Sequence, residues 1–172
     1  MTDPAPPMAP LPPATAEPAP PPDPLFPLET VQPAGWALPS GYSNAVAGPG
    51  GGRLVFVAGQ VGWDPRTGAF AGDDLAAQAA QALANVAAVL RAAGAEPGHV
   101  ARLTWYVTDR AEYLAARPAI GAAYRAVMGG HYPAMSLLVV RSLLEERAKV
   151  EIEATALIPE PHAAAAGGPG TP

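Results

Sequence analysis

Two carboxylates, Glu151 and Glu153, stand two residues apart in an alternating run, VEIEATAL, from Val150 to Leu157. Side chains in a strand change face at every residue, so Glu151, Glu153 and Thr155 share one face and Val150, Ile152, Ala154 and Ala156 the other. A carboxylate held in this way can position water or move a proton. A solvated pair of acids is equally ordinary on a strand surface, and spacing alone does not choose between the two. Other reactive groups are few. The chain has no cysteine, which excludes a disulfide framework, a thiolate nucleophile and a cysteine zinc site. His99, His131 and His162 are scattered without metal-ligand spacing, so no metal is expected. The glycines of Gly48–Gly52 lead into the strand-like RLVFVAGQ instead of a helix and lack a following Lys-Ser/Thr, which argues against a phosphate cradle. No cofactor is implied.

The elements that must position these residues follow from pattern. Ala134–Val140 and Ala148–Leu157 read as strands flanking a charged turn with Glu145, Glu146 and Arg147, which suggests a hairpin or tight return. In the first of these, Met135, Leu137 and Val139 share one face, and Ser136, Leu138 and Val140 the other. Tyr42–Val46 and Arg53–Gln60 are further β-like runs, joined by the glycine-rich AGPGGG as a hairpin loop. Asp73–Ala93 reads as a helix, with Asp73 or Asp74 as cap, Gly94 past its end and an apolar stripe of Leu75, Ala79, Leu83, Val86 and Leu90. Val100–Thr108 alternates as a strand. Ala111–Met128 is a second helix, with Leu114, Ile120, Tyr124 and Val127 inward and a break expected near Pro118.

The order is therefore β-β-α-β-α-β-β. It predicts an α/β (α+β) domain, a mixed sheet of five or six strands with both helices on one face. The opposite face would be open in a monomer. With Met135, Leu137 and Val139 placed there, an oligomer contact is expected to cover it.

Composition bounds the rest. At 172 residues, 49% hydrophobic and 15% charged, the chain suffices for one core. A net charge of −5 disfavours binding to nucleic-acid phosphates. Residues 1–34 hold 13 of the 23 prolines and no Lys or Arg, so they are expected to form neither helix nor ladder and to be a disordered tail. They lack the basic start and unbroken apolar stretch of a secretion signal. Residues 160–172 read as a second low-complexity tail, which leaves 35–159 as the domain. No stretch approaches the ~20 apolar residues of a membrane span, and a cytoplasmic location is expected.

Read together, GYSNAV, LVFVAGQVGWDPRTG, QAAQALANVAAVLRAAGA, VARLTWYVTD, YPAMS and VEIEATA resemble the RidA/YjgF family of reactive-intermediate deaminases, from Gly35 to Pro159. The resemblance implies a chorismate-mutase-like fold, three subunits around a barrel-like centre, and ligand clefts between neighbours. It also implies an activity: hydrolysis of imines, formed from 2-aminoacrylate and related enamines, to 2-oxo acids and ammonia. The family's water-placing carboxylate corresponds to Glu151 and its tyrosine near the first strand to Tyr42. Its Ser-Gly-Gln is met by Ala58-Gly59-Gln60.

Four departures from the family pattern remove polarity from the implied cleft. The family's Pro-Ala-Arg-Ser, whose guanidinium holds the substrate carboxylate, reads Pro133-Ala134-Met135-Ser136 here. Ala58 replaces the serine, Leu137 a frequent cysteine, and Gly121 an asparagine of the second helix. Arg141 lies six residues from Met135, about 20 Å at ~3.3 Å per residue, and Arg102 is on another strand, so neither is an obvious substitute. The expectation is a hydrolase acting on a C=N bond of a small, less anionic metabolite. The alternative is a non-catalytic homotrimer that binds a small molecule in the same cleft. Ribonuclease activity is disfavoured by the acidic balance and by the lack of a His or Lys constellation near Glu151.

Overall fold

The computed structural model describes residues 28–36, 38–48 and 51–159. In them the chain runs β1 (Glu29–Val31), β2 (Ala45–Ala47), β3 (Arg53–Val61), α1 (Leu75–Ala92), β4 (Val100–Val107), α2 (Arg110–Met128), β5 (Ala134–Val139) and β6 (Val150–Ile158). Four strands form one mixed sheet in the order β3-β6-β4-β5, and β1 and β2 pair separately. The α+β class, the mixed sheet and the two helices on one face agree with the sequence reading.

The core explains why both helices take the same side. Val150, Ile152, Ala154 and Ala156 of β6 are buried with Leu103, Trp105 and Val107 of β4, under Leu75, Ala79, Leu83, Val86 and Leu90 of α1 and Ile120, Tyr124 and Met128 of α2. Removing these side chains from water is the main force fixing the helices there. Asp74 caps α1 by accepting the Ala76 N–H at 2.8 Å, and Asp109 caps α2 by accepting that of Glu112 at 2.8 Å. The Glu112 carboxylate accepts from Lys149 Nζ at 2.7 Å and from the Leu75 N–H at 3.3 Å, tying α2 to the start of α1 and of β6.

Amides on α1 bind it to the strands. Asn85 Nδ2 donates to Val61 O at 3.1 Å and Trp63 O at 2.8 Å. Gln78 donates to Gly72 O and Arg147 O and accepts from the Lys149 N–H. Both amides are buried, so their pairing is obligatory. Gly62 permits this approach, because a Cβ there would stand 2.5 Å from the Cα of Gln78.

Several expectations are overturned. β5 and β6 are not a hairpin: β4 lies between them, pairing parallel with β5 and antiparallel with β6. A parallel β4–β5 pair requires a crossover, which α2 supplies, and this puts β5 at the edge. β2 pairs with β1 and not across the glycine loop with β3, so the sheet has four strands, not five or six. β1 also builds a ladder inside the 1–34 stretch expected to have none, using its proline-free residues Glu29–Val31; the rest of that stretch, up to residue 27, and residues 160–172 lie outside the described residues. Pro118 does not break α2, which is continuous from Arg110 to Met128. Pro118 and Leu114 are both exposed, so the carbonyl left without its helical partner meets water instead of the core. Leu114 itself, expected inward, is 42% exposed.

The face assignment of β5 is also reversed. Met135, Leu137 and Val139 are in register with Leu103, Trp105 and Val107, the buried face of β4, so they point to the helix side. Ser136 and Leu138 share the open side with Thr104 and Tyr106. Large apolar residues exposed on the open face include Leu54, Phe56 and Leu138, at 56%, 75% and 44% exposure.

Candidate functional site

Glu151 has a neighbour that sequence spacing does not reveal. β3 and β6 shift register by one residue between Val57 and Gln60, a bulge at Ala58-Gly59. The Gln60 amide folds over it, donating to Ala58 O at 3.2 Å and Gly59 O at 3.3 Å. The Glu151 side chain lies directly on Gly59: a Cβ there would be 2.6 Å from the carboxylate carbon and 2.8 Å from Cγ, and would overlap Oε1. Ala58, Gly59 and Glu151 thus form one cluster. The glycine leaves room for a carboxylate pressed against the backbone.

Glu153 has a different environment. Tyr106 Oη donates to its Oε2 at 3.1 Å, and that bond holds the phenol above its ordinary pKa. With Arg102, Thr104 and Thr155 the two line a polar depression on the open face. Among the described residues no ion pair joins Glu153 to Arg102 or Arg141. Ser136 lies in this region, in register with Thr104, which in turn pairs with Glu153.

Met135, Leu137 and Gly121 meet on the other side of the sheet. A groove of about 200 Å³ opens between the β5 edge and α2, floored by Trp105, Ile120, Met135 and Leu137 and walled by Tyr113 and Tyr124. That is the room of roughly six or seven waters at about 30 Å³ each, enough for a small metabolite. Tyr124 stacks on Tyr132 with ring centroids 5.5 Å apart and donates its hydroxyl to His131 O at 2.8 Å. Burial pushes that phenol far above its ordinary pKa. Trp105 is 3% exposed, and its indole Nε1–H has no hydrogen-bond partner among the described residues. A buried donor left unpaired costs about 1–3 kcal/mol.

Two side chains of the groove went unnoticed in the sequence: Arg117 and Arg125. They stand one turn before and one turn after Gly121, and residues at i, i+4 and i+8 share a helix face. That spacing is a signal in the sequence, and the arginines lie beside two residues of the apolar stripe, Ile120 and Tyr124, which line the same groove. Arg102 and Arg141 line other depressions and do not reach this groove.

Tyr42 lies beside the groove and not in it. It lines a neighbouring hollow with Ser43, His131 and Tyr132, and Tyr132 belongs to both. Ser43 anchors this segment, bridging to Ala134, donating its N–H to Pro133 O at 2.9 Å and its hydroxyl to Tyr132 O. Within one chain the expected site residues therefore separate. Glu151, Ala58 and Gly59 are together, Met135, Leu137 and Gly121 are together with Tyr42 at their rim, and Ser136 belongs with neither. Among the described residues no group of three or more His, Asp or Glu gathers to hold a metal, and no helix is long and apolar enough to cross a membrane.

Comparison with known proteins matches residues 36–158 to the family described as endoribonuclease L-PSP. A 2-iminobutanoate/2-iminopropanoate deaminase of Salmonella typhimurium is 36% identical over 122 residues, 69% of this chain and 91% of the relative. A crystal structure of a Rid-family protein of unknown function from Yersinia pestis is 39% identical with a TM-score of 0.65, covering 76% of this chain and 98% of that one. TdcF of E. coli, crystallised with bound serine, is 31% identical with a TM-score of 0.53, over 70% and 90% of the two chains.

Proposed function

The chain belongs to the endoribonuclease L-PSP family, the RidA/YjgF proteins, and from that premise we propose that it hydrolyses a C=N bond of a small metabolite in a cleft completed by a second subunit of a homotrimer. The observation that carries this reading is the Glu151 carboxylate seated on Gly59 beside the β3 bulge. A carboxylate with its approach shaped by backbone can hold a water and accept its proton as the oxygen adds to the imine carbon. The nitrogen then leaves as ammonia and the carbon becomes a carbonyl, so water is the only co-reactant. The deaminase relatives support the reaction, and the serine in TdcF supports a ligand of that size.

Two features support a shared cleft. The Glu151 cluster and the Met135 groove are on different sides of one chain's sheet, so one ligand touches both only if two copies meet. Exposed Phe56, Leu54 and Leu138 give the open face apolar area for such contact. With methionine in the place of the strand arginine, the short 2-imino acids named for the relatives are not its substrates of choice. A cytoplasmic site of action suits a cysteine-free chain handling a reactive intermediate.

Ammonia release from a panel of enzymatically generated imines, compared between wild type and Glu151→Gln, tests the reading. The substitution is expected to lower kcat at least ~100-fold on whichever imine is turned over, the usual scale for an acid–base group. Equal rates would leave a small-molecule-binding protein in its place.

A further inference from the structure

The Met135 groove contains a charge pattern that the family resemblance does not explain. Its lining residues include two guanidiniums, Arg117 and Arg125, and no carboxylate. The ion pairs of the described residues engage Arg66, Arg147 and Lys149, and leave these two arginines without an acidic partner. Other arginines also lack an acidic partner, but these two line the same small groove, in which no carboxylate stands to balance them. Like charges in one groove repel unless an anion comes between them.

The local sequence makes the pair possible. Eight residues of helix separate Arg117 from Arg125, about 12 Å along the axis at ~1.5 Å per residue, so two long side chains can converge on one point above Gly121. Gly121 keeps that point open. A Cβ there would lie 3.4 Å from Arg125 Nη1, so the guanidinium already rests over the glycine. Below lie Met135, Leu137 and Trp105.

We propose that Arg117 and Arg125 on α2 form the anion clamp of this protein, holding the carboxylate of a ligand whose apolar body rests on Trp105, Met135 and Leu137. The clamp stands on the helix wall of the groove, whereas the family's guanidinium comes from the strand at position 135. Planar guanidiniums match a carboxylate with paired hydrogen bonds. This deepens the reading of a C=N hydrolase, on which it rests for the word substrate: the substrate class becomes an imine or enamine with an apolar body and a carboxylate, its charge placed toward α2.

Calorimetric titration of the full-length protein with phenylacetate and with its neutral counterpart phenylacetamide tests the clamp. Binding is read without turnover, so a chain that never releases ammonia still passes or fails. Phenylacetate is expected to bind at least ~10-fold more tightly than the amide, and the Arg117→Gln/Arg125→Gln double variant to weaken the acid at least ~10-fold while leaving the amide unchanged. Arg110→Gln removes a charge from the same helix outside the groove and is expected to change neither. The clamp is overturned if acid and amide bind alike, if the acid shows no binding at millimolar concentration, or if Arg110→Gln weakens it as much as the double variant.

Discussion

The Glu151 carboxylate packs against the bare Cα of Gly59, in space that any side chain at position 59 would occupy. The clash falls on a side chain able to rotate away, with no backbone atom among the nearest contacts, so Gly59→Ala is expected to displace the carboxylate without unfolding the chain. Turnover of an accepted imine should fall by ~10²-fold or more, the scale of a mispositioned acid–base group. The melting temperature should stay within a few degrees. Unchanged turnover would show that Glu151 does not act from this position.

Met135 faces the groove where the family pattern has arginine. Wild-type protein should hydrolyse 2-iminopropanoate at least ~100-fold more slowly than an arginine-bearing relative, since a charge-assisted hydrogen bond contributes about 1.5–3 kcal/mol and a bidentate pair makes two. Met135→Arg should recover part of that rate in a coupled ammonia assay. Wild-type rates equal to the relative's would mean that the helix arginines serve the short substrate as well.

Phe56 is 75% exposed on the open face, beside Leu54. Light scattering on the wild type should report about three times the 17.4 kDa of one chain. Phe56→Asp should shift the population to smaller species, because a charge would be buried in the contact. A monodisperse wild-type monomer is the result that removes the shared cleft.

Asn85 serves two carbonyls, Val61 O and Trp63 O, from inside the core. Asn85→Ala leaves both without that partner and should cost roughly 1–3 kcal/mol in chemical denaturation, with helix content retained. A loss under half a kilocalorie would mean that water replaces the amide.

His99 is buried, its Nδ1 accepting the Glu96 N–H at 2.9 Å. Burial pushes its pKa below the ordinary 6.5; nearby Glu96 opposes that shift and His131 adds to it. Above pH 6.5 the ring is neutral folded or unfolded and contributes no pH dependence. As the pH falls below 6.5, the unfolded chain takes up the proton first, so stability declines until the folded pKa is reached and then levels off. Thermal melts between pH 7 and 5 should show that slope in the wild type and less of it in His99→Asn. An identical slope in both assigns it to other groups.

Local rules made much of this protein legible. The alternation of VEIEATAL gave β6 its two faces, the caps and apolar stripe gave α1, and family motifs drew Glu151, Gly59 and Met135 into one hypothesis, because strand and helix periodicities are properties of the chain itself. Partner choice between strands is not such a property. Adjacent β5 and β6 read as a hairpin, but burial of α2's apolar side on the sheet makes β4–α2–β5 a crossover that sets β5 parallel at the edge with Met135 toward the helices, and β6 returns to pair between β3 and β4. The contacts that give the site its chemistry are of the same kind. Glu151 reaches Gly59 across the β3–β6 ladder from 92 residues away, and Arg117, Arg125 and Trp105 come together with Met135 only where α2 crosses β4 and β5. Periodicity assigns each of these side chains a direction, but which surface lies in that direction is decided by the packing of distant segments that exclude water together.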